Sequence, residues 1–221
     1  KVSQPAIDSS LLIVQTLQGK VKGTTEKNIC VWKGIPYAKA PVGKLRYHAP
    51  QEPDTWQGIR NTTAYGPSTP QPRTDISGKE PTNEDCLYLN IWSPAADGKK
   101  RPVMFWIHGG GFVVGTGASS LYNGANLSYK GDVVVVTINY RLGVLGFLYF
   151  DDSISKSTGF ENNLGIRDQI AALKWVKQNI AGFGGDPNQL TIFGESAGGT
   201  SVETLLACPE AHGMFKGAIA E

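Results

Sequence analysis

A strand pattern leads directly into a helix pattern near the end of this sequence, with only a few residues between the two. The strand is QLTIF at 189–193, and a helix with periodic apolar positions is predicted at 197–206. The residues that flank the turn, Gly194 and Ala197 to Gly199, are all small, as a sharp turn requires. A strand that enters a helix without a long loop is typical of α/β folds built on a parallel sheet.

Further strands and one long helix precede this unit. Residues 166–180 carry apolar side chains at helical spacing, with Asn162 or Asn163 as the candidate cap and Gly182 as a stop signal. The run VVVVTINY at 133–140 is β-branched and apolar on both faces, which is typical of a central strand. These patterns together predict an α/β fold. Additional strands are predicted at 87–92, at 103–107 and, in the final run GAIAE, from 217 onward.

The first third of the chain has fewer regular elements. Two short runs at 11–17 and 19–23 flank Gly19 and predict a β-hairpin. Residues 34–82 are rich in proline and glycine, so we expect mostly loops there. The 221 residues can form a single domain spanning 1–221.

Composition excludes several classes of protein. The chain has 21 lysines and arginines against 19 acidic residues, and a net charge of +2 is too small for a nucleic-acid-binding protein. No run of about 18 apolar residues is present, so no membrane span is expected. The histidines, cysteines and acidic residues show no metal-ligand spacing, so we expect neither a metal nor another cofactor.

The turn after QLTIF has the pattern G-x-S-x-G, in which a serine can serve as a nucleophile. The five residues are Gly194-Glu195-Ser196-Ala197-Gly198. In a chain with 27 glycines this pattern has about 0.2 expected chance matches, so the pattern alone is weak. Its position between a strand and a helix is what a nucleophile elbow needs, because the turn lifts the hydroxyl off the sheet edge. Ser196 is therefore the candidate nucleophile.

A second glycine-rich segment follows another predicted strand. His108-Gly109-Gly110-Gly111 has about 0.005 expected chance matches, so it is far more specific than the serine pattern. Attack on an ester carbonyl produces an oxyanion, and backbone N–H groups must already point at it. Glycines let the backbone approach that oxygen without a clash. The candidate donors are the amides of Gly110, Gly111 and Ala197.

Several segments resemble the type-B carboxylesterase/lipase family, and bacterial para-nitrobenzyl-esterase-like members most of all. The resemblance implies an α/β-hydrolase fold, a mostly parallel central sheet with flanking helices, and hydrolysis of a small-molecule carboxylic ester through an acyl-enzyme. It also implies that Ser196 is the nucleophile, that Gly110, Gly111 and Ala197 line the oxyanion hole, and that Glu195 lies in the pocket beside Ser196. Segments that carry the resemblance include KGIPYAKAPVG at 33–43, EDCLYLNIW at 84–92, IHGGGF at 107–112, FGGDP at 183–187 and IFGESAGG at 192–199.

Two aromatic residues are candidates for the wall of a substrate pocket. Phe112 follows the glycine-rich segment and Tyr122 lies ten residues further on. Aromatic side chains are, however, more often part of a core than of a substrate wall. The pocket would also decide between an esterase and the alternative of a lipase that acts on longer acyl chains.

A second alternative is a catalytically inactive interaction module on the same fold, because a fold alone does not fix a function. Non-catalytic relatives such as neuroligins resemble this sequence but lack the elbow serine. Retention of Ser196 therefore favours an enzyme.

A serine needs a general base, and the sequence offers no convincing one. In this fold the order is serine, then an acidic residue, then histidine, and only His212 follows Ser196. His212 follows a helix, in a loop beside Pro209, and its simpler interpretation is a solvated loop histidine. His48 lies in the proline-rich region and His108 belongs to the glycine-rich segment.

The resemblance implies that the acidic residue and the histidine lie in a part of the hydrolase absent from this sequence. We therefore expect these 221 residues to be an N-terminal portion. The remaining C-terminal part would be a second chain or a missing segment.

The three cysteines, Cys30, Cys86 and Cys208, are too few for a disulfide framework. In many relatives the equivalent of Cys86 pairs with a cysteine at the position that Thr69 occupies here, so we expect Cys86 to be unpaired unless Cys30 reaches it. An unpaired thiol favours a reducing cytoplasm, whereas the start at Lys1 and two glycosylation sequons favour export. The sequence leaves both compartments open.

Overall fold

The computed structural model describes residues 9–221, in which a large mixed sheet carries helices on its faces. The strands are β1 (Ile13–Gln15), β2 (Lys20–Lys22), β3 (Thr24–Glu26), β4 (Ile29–Pro36), β5 (Ile59–Asn61), β6 (Tyr88–Ser93), β7 (Arg101–Ile107), β8 (Val134–Ile138), β9 (Gly185–Gly194) and β10 (Gly217–Ala220). The α-helices are α1 (Ala125–Gly131), α2 (Gly143–Phe147), α3 (Asp152–Thr158), α4 (Leu164–Asn179) and α5 (Ala197–Ala207).

The main sheet has seven strands among the described residues, in the order β10-β9-β7-β8-β6-β4-β3. Strands β10, β9, β7 and β8 pair in parallel with one another, whereas β6, β4 and β3 are added by antiparallel pairing that begins between β8 and β6. The α/β fold class predicted from the sequence is confirmed. The parallel part of the sheet is the part that carries both glycine-rich segments.

The predicted hairpin around Gly19 is also confirmed. Strands β1 and β2 pair antiparallel, and the Thr16 amide donates to the Gly19 carbonyl at 3.0 Å. Strand β5 joins β2 in parallel to complete a small three-stranded sheet. The proline-rich region is otherwise mostly loop, as expected.

The register of β7 and β9 decides where the site lies. These strands are parallel neighbours, and Ile107 pairs with Gly194 at their carboxyl ends. The segments that leave the two strands therefore begin side by side at one edge of the sheet. Ligands of open α/β sheets bind at this edge, beyond the carboxyl ends of the strands.

Alternation of side chains along the strands builds a core on each face of the sheet. On one face, Phe105 and Ile192 join a large buried cluster that includes apolar residues of α4 and α5. On the other face, Trp92 and Val135 pack with Ala125 of α1 in a smaller cluster. Helices α4 and α5 thus hold β7 and β9 in place.

The predicted long helix is present, and Asn163 occupies its N-cap position, but without the capping hydrogen bond expected of an asparagine there. Neither asparagine side chain caps α4. The side chain of Asn162 instead bonds the backbone N–H and C=O of Phe150, at 2.7 and 2.9 Å. The backbone of Asn163 is left-handed, with φ of 58°.

A buried ion pair connects the segment after β8 to α4. Arg141 donates to both carboxylate oxygens of Asp168, at 2.9 and 2.8 Å, and both residues are almost fully buried. The Arg141 amide also donates to Asp168 at 3.0 Å, and its guanidinium reaches the His48 carbonyl. These bonds compensate for the removal of both charges from water.

No helix among residues 9–221 is long and apolar enough to cross a membrane.

Candidate active site

Ser196 occupies a strained turn between β9 and α5. Its backbone angles are φ 57° and ψ −122°, outside the regions that residues with a side chain normally adopt. Such a conformation costs about 1–3 kcal/mol and persists only where the surroundings enforce it. The side chain is exposed at the sheet edge. The sequence prediction of a sharp strand–turn–helix unit is confirmed.

Backbone hydrogen bonds hold this turn from both sides. The Ser196 amide donates to the Glu221 carbonyl at 2.7 Å, and the Gly198 amide donates to the Glu195 carbonyl at 2.8 Å. A Cβ atom on Gly194 would lie only 2.6 Å from the Gly198 carbonyl carbon. The absence of a side chain at Gly194 is therefore what lets α5 begin immediately after the strand.

The segment after β7 lies directly against Ser196. A Cβ atom on Gly109 would lie 3.2 Å from the Ser196 Cβ and 2.6 Å from the Glu195 carbonyl oxygen. The next three residues are all left-handed, with φ of 103° at Gly110, 62° at Gly111 and 60° at Phe112. The two motifs, more than 80 residues apart in sequence, therefore meet at one place.

Three backbone amides at this place have no partner. Within residues 9–221, no hydrogen bond is donated by the N–H groups of Gly110, Gly111 or Ala197. Ala197 is the first residue of α5, so its amide has no acceptor within the helix. An 11-residue helix also presents the positive end of its dipole here. The arrangement can stabilise a negative oxygen formed beside Ser196.

Glu195 and Tyr122 lie close enough beside the turn for the charge of one to act on the other. Glu195 is exposed, and Tyr122 is half-buried against Trp106, with ring centroids 5.0 Å apart. Burial raises the pKa of Tyr122, and the negative charge of Glu195 raises this pKa further. The structure therefore brings both sequence-predicted pocket residues to the edge that carries Ser196.

Phe112, the third predicted pocket residue, is half-buried next to the core. Its ring packs on Phe147 with centroids 4.6 Å apart, and its carbonyl accepts a bond from the Gly143 amide at 2.7 Å. These contacts fix a residue with an unfavourable φ. Phe112 therefore anchors the end of the glycine-rich segment.

No histidine is hydrogen-bonded to the Ser196 hydroxyl in the part of the chain that the structure describes. His212 follows the carboxyl end of α5, which at 11 residues is about 16 Å from its Ser196 end. His48 lies 3.9 Å from Glu161 and packs on Phe160. The simpler interpretation of His212, an exposed loop histidine, agrees with its position.

A glutamine that sequence reasoning missed supports the glycine-rich segment. The Gln71 side chain accepts a bond from the Gly115 amide at 2.6 Å and donates to the Gly115 carbonyl at 2.8 Å. These partners are 44 residues apart, and neither stands in a local pattern. No signal in the sequence reveals this contact.

The predicted absence of a Cys86 disulfide is confirmed. All three cysteines lie within the described residues, and all are unpaired. Cys86 is fully buried, and this burial raises the pKa of its thiol to about 12, although a hydrogen bond with Thr69 opposes the shift. Cys86 is therefore an inert core thiol at neutral pH.

Comparison with known proteins agrees with this geometry. The model of the carboxylesterase family matches residues 10–221. The chain belongs to the carboxylesterase family. It is 51% identical over 214 residues to the para-nitrobenzyl esterase of Bacillus subtilis, covering 95% of this chain and 43% of that protein. It is 44% identical over 233 residues to a human cocaine esterase, covering 97% of this chain and 40% of that protein.

Solved structures of carboxylesterases agree in fold as well as in sequence. A Geobacillus stearothermophilus carboxylesterase superimposes with a TM-score of 0.87 at 55% identity, covering 94% of this chain and 43% of that one. A para-nitrobenzyl esterase structure gives a TM-score of 0.87 at 50% identity. The chain thus spans less than half the length of these relatives. The α/β-hydrolase fold of the family is confirmed for the part that is present.

Proposed function

We propose that this protein hydrolyses carboxylic esters, with Ser196 as the acyl-forming nucleophile. One observation carries the proposal. A serine in a strained strand-to-helix turn stands beside three backbone amides, those of Gly110, Gly111 and Ala197, that have no acceptor within the described residues. This arrangement suits a reaction in which a serine attacks a carbonyl and the carbonyl oxygen becomes negative.

The reaction would proceed in two halves. The Ser196 oxygen attacks the acyl carbon, its proton passes to a base, and the former carbonyl oxygen takes the negative charge. The amides of Gly110, Gly111 and Ala197 stabilise that charge. The intermediate then expels the alcohol, which takes up the proton, and leaves the acyl group on Ser196. Water releases the acid by the same steps and restores the serine.

The base and the acidic residue that orients it would come from residues outside this sequence. Two observations support this part of the proposal. The Ser196 hydroxyl has no histidine partner among residues 9–221, and the chain spans only 43% of the Bacillus esterase. The remainder of the hydrolase, in the same polypeptide or as a second chain, is thus the proposed partner of this part.

Tyr122 and Glu195 would flank the ester at the mouth of the site; the effect of the Glu195 charge on the pKa of Tyr122 supports this placement. Phe112 would shape the opposite side through the glycine-rich segment that it anchors. A carboxylate at this position would disfavour negatively charged esters. We therefore expect neutral esters to be the preferred substrate class.

The test is ester turnover by the complete protein in which this sequence occurs. Ser196→Ala should abolish the release of nitrophenol from a para-nitrophenyl ester. The matched control is Ser157→Ala, which removes an exposed hydroxyl from α3 that donates only to the Ile154 carbonyl within the described residues. Full turnover by Ser196→Ala would refute the proposal. So would a loss of equal size in Ser157→Ala, since that loss would not be specific to the nucleophile.

A further inference from the structure

We propose that His108 is a positioning residue for the oxyanion site, and that its Nδ1–H group orients the Gly109–Gly110 peptide so that the Gly110 amide faces Ser196. The inference rests on the proposed function, because it assigns a task to the Gly110 amide in ester hydrolysis. His108 itself touches neither Ser196 nor the substrate site by any hydrogen bond, so it would act only through this peptide.

The hydrogen bond that carries the inference joins His108 to the residue that follows it. Nδ1 of His108 lies 2.8 Å from the Gly109 carbonyl oxygen. The peptide bonds are all trans, so the N–H of Gly110 points opposite to the C=O of Gly109. A donor that fixes the carbonyl of Gly109 therefore also fixes the direction of the Gly110 amide.

The surroundings of the ring decide which nitrogen carries the proton. A carbonyl oxygen is only an acceptor, so Nδ1 must be protonated for this contact to be attractive. Nε2 of His108 is buried and has no partner within the described residues. A proton on Nε2 would leave a buried donor unsatisfied and place two lone pairs against each other at Nδ1. The structure therefore favours the Nδ1–H tautomer.

The ring is held rigidly in this orientation. His108 stacks on Tyr140 with ring centroids 4.4 Å apart, and the Tyr140 hydroxyl donates to the His108 carbonyl at 2.7 Å. Gly115 packs over the contact, and a Cβ atom there would lie 2.6 Å from the Gly109 oxygen. Gln71 in turn clamps both backbone groups of Gly115. The peptide is thus fixed by neighbours on two sides.

Burial keeps this histidine neutral. It lowers the pKa of His108 to about 4, so the ring carries a single proton at neutral pH. A neutral ring with one proton donates from one nitrogen only. The hydrogen bond from Nδ1 to the Gly109 carbonyl and the unprotonated Nε2 therefore belong to the same tautomer.

Two substitutions of the complete protein separate positioning from packing. In His108→Asn the side-chain amide nitrogen can replace Nδ1, whereas in His108→Gln it replaces Nε2. We expect His108→Asn to keep kcat for a para-nitrophenyl ester within about fivefold, and His108→Gln to lower kcat about 100-fold with KM unchanged, since a misplaced oxyanion donor costs about 10²–10³ in rate. Equal losses in both variants, or a change in KM alone, would overturn the inference.

A measurement on the unsubstituted protein does not depend on activity and needs only one folded variant, for the assignment. Nitrogen NMR of histidine-labelled protein distinguishes a protonated Nδ1 from a protonated Nε2. We expect His108, assigned by its loss in either variant, to show a protonated Nδ1 and a bare Nε2 at pH 7. An Nε2–H tautomer would overturn the inference. If this tautomer is found but Ser196→Ala retains full turnover, the proposed function fails while the bond itself stands.

Discussion

A single methyl group at Gly109 would separate the two halves of the candidate site. In the structure, a Cβ atom at this position would lie 2.6 Å from the Glu195 carbonyl oxygen and 3.2 Å from the Ser196 Cβ. Ordinary van der Waals contact begins at about 3.4 Å, so Gly109→Ala must push the glycine-rich segment about 0.8 Å from the serine turn. The amide of Gly110 moves with it.

The magnitude follows from the sensitivity of catalysis to geometry. A misplacement of about 1 Å costs about 100-fold in rate, so a shift of about 0.8 Å should lower kcat about 30-fold. The overlap should also destabilise the fold by about 1–3 kcal/mol, which is small enough for the protein to remain folded. The loss in kcat should therefore appear at temperatures well below unfolding.

The assay is the rate at which a fluorophosphonate labels Ser196 in the complete protein, measured alongside ester turnover and the melting temperature. The matched control is Gly131→Ala at the end of α1, where the nearest atom to a new Cβ lies 3.4 Å away. That control should label at the unsubstituted rate. If Gly109→Ala also labels at that rate with full kcat, the segment does not contact the serine turn as described.

Three further outcomes are expected. First, burial lowers the pKa of His108 from 6.5 to about 4, so the neutral ring stabilises the fold fully above pH 6.5 and this stabilisation is lost as the pH falls to 4. The free energy of unfolding in urea should fall by about 3 kcal/mol over this range. An equally steep loss in His108→Gln would contradict this explanation. Second, Arg141→Met should lower the free energy of unfolding by about 3–5 kcal/mol, because it leaves Asp168 buried without its partner. Adding Asp168→Leu should restore much of the lost stability. No recovery in the double variant would refute the ion-pair explanation. Third, Thr69→Cys should form a disulfide with Cys86, because the Thr69 side chain already hydrogen-bonds to that thiol. The denatured variant should then titrate one free thiol fewer than the unsubstituted protein, and one thiol more would contradict the contact.

The elements that the sequence predicted well are those with a strong local pattern. The apolar run at 133–140 and the amphipathic run at 166–180 became β8 and α4 with ends shifted by one or two residues. Asn163 stands at the predicted N-cap position of α4 but makes no capping bond, and the Asn162 side chain instead bonds Phe150, a contact that the local sequence does not encode. The pairing of β3 with β4 was not predicted, because the sequences of these two strands do not alternate regularly between apolar and polar residues.

The site was predictable in its parts but not in its assembly. Ser196 and the glycine-rich segment after His108 each carry a local motif, and their motifs identified them. That β7 and β9 are neighbours is a non-local property, and the family resemblance implied only that the segments after them share one oxyanion hole. The tautomer of His108 and the support from Gln71 depend on distances between side chains. Those distances exist only in the folded protein.

The most direct test of the account is to locate the acyl group during turnover. The complete protein is mixed with an activated ester, quenched in acid within the first turnover, digested and weighed by mass spectrometry. We expect one acyl group on the peptide that contains Ser196, and none in Ser196→Ala. An acyl group on another residue, or ester consumption with no acylated peptide at any quench time, would contradict the central claim.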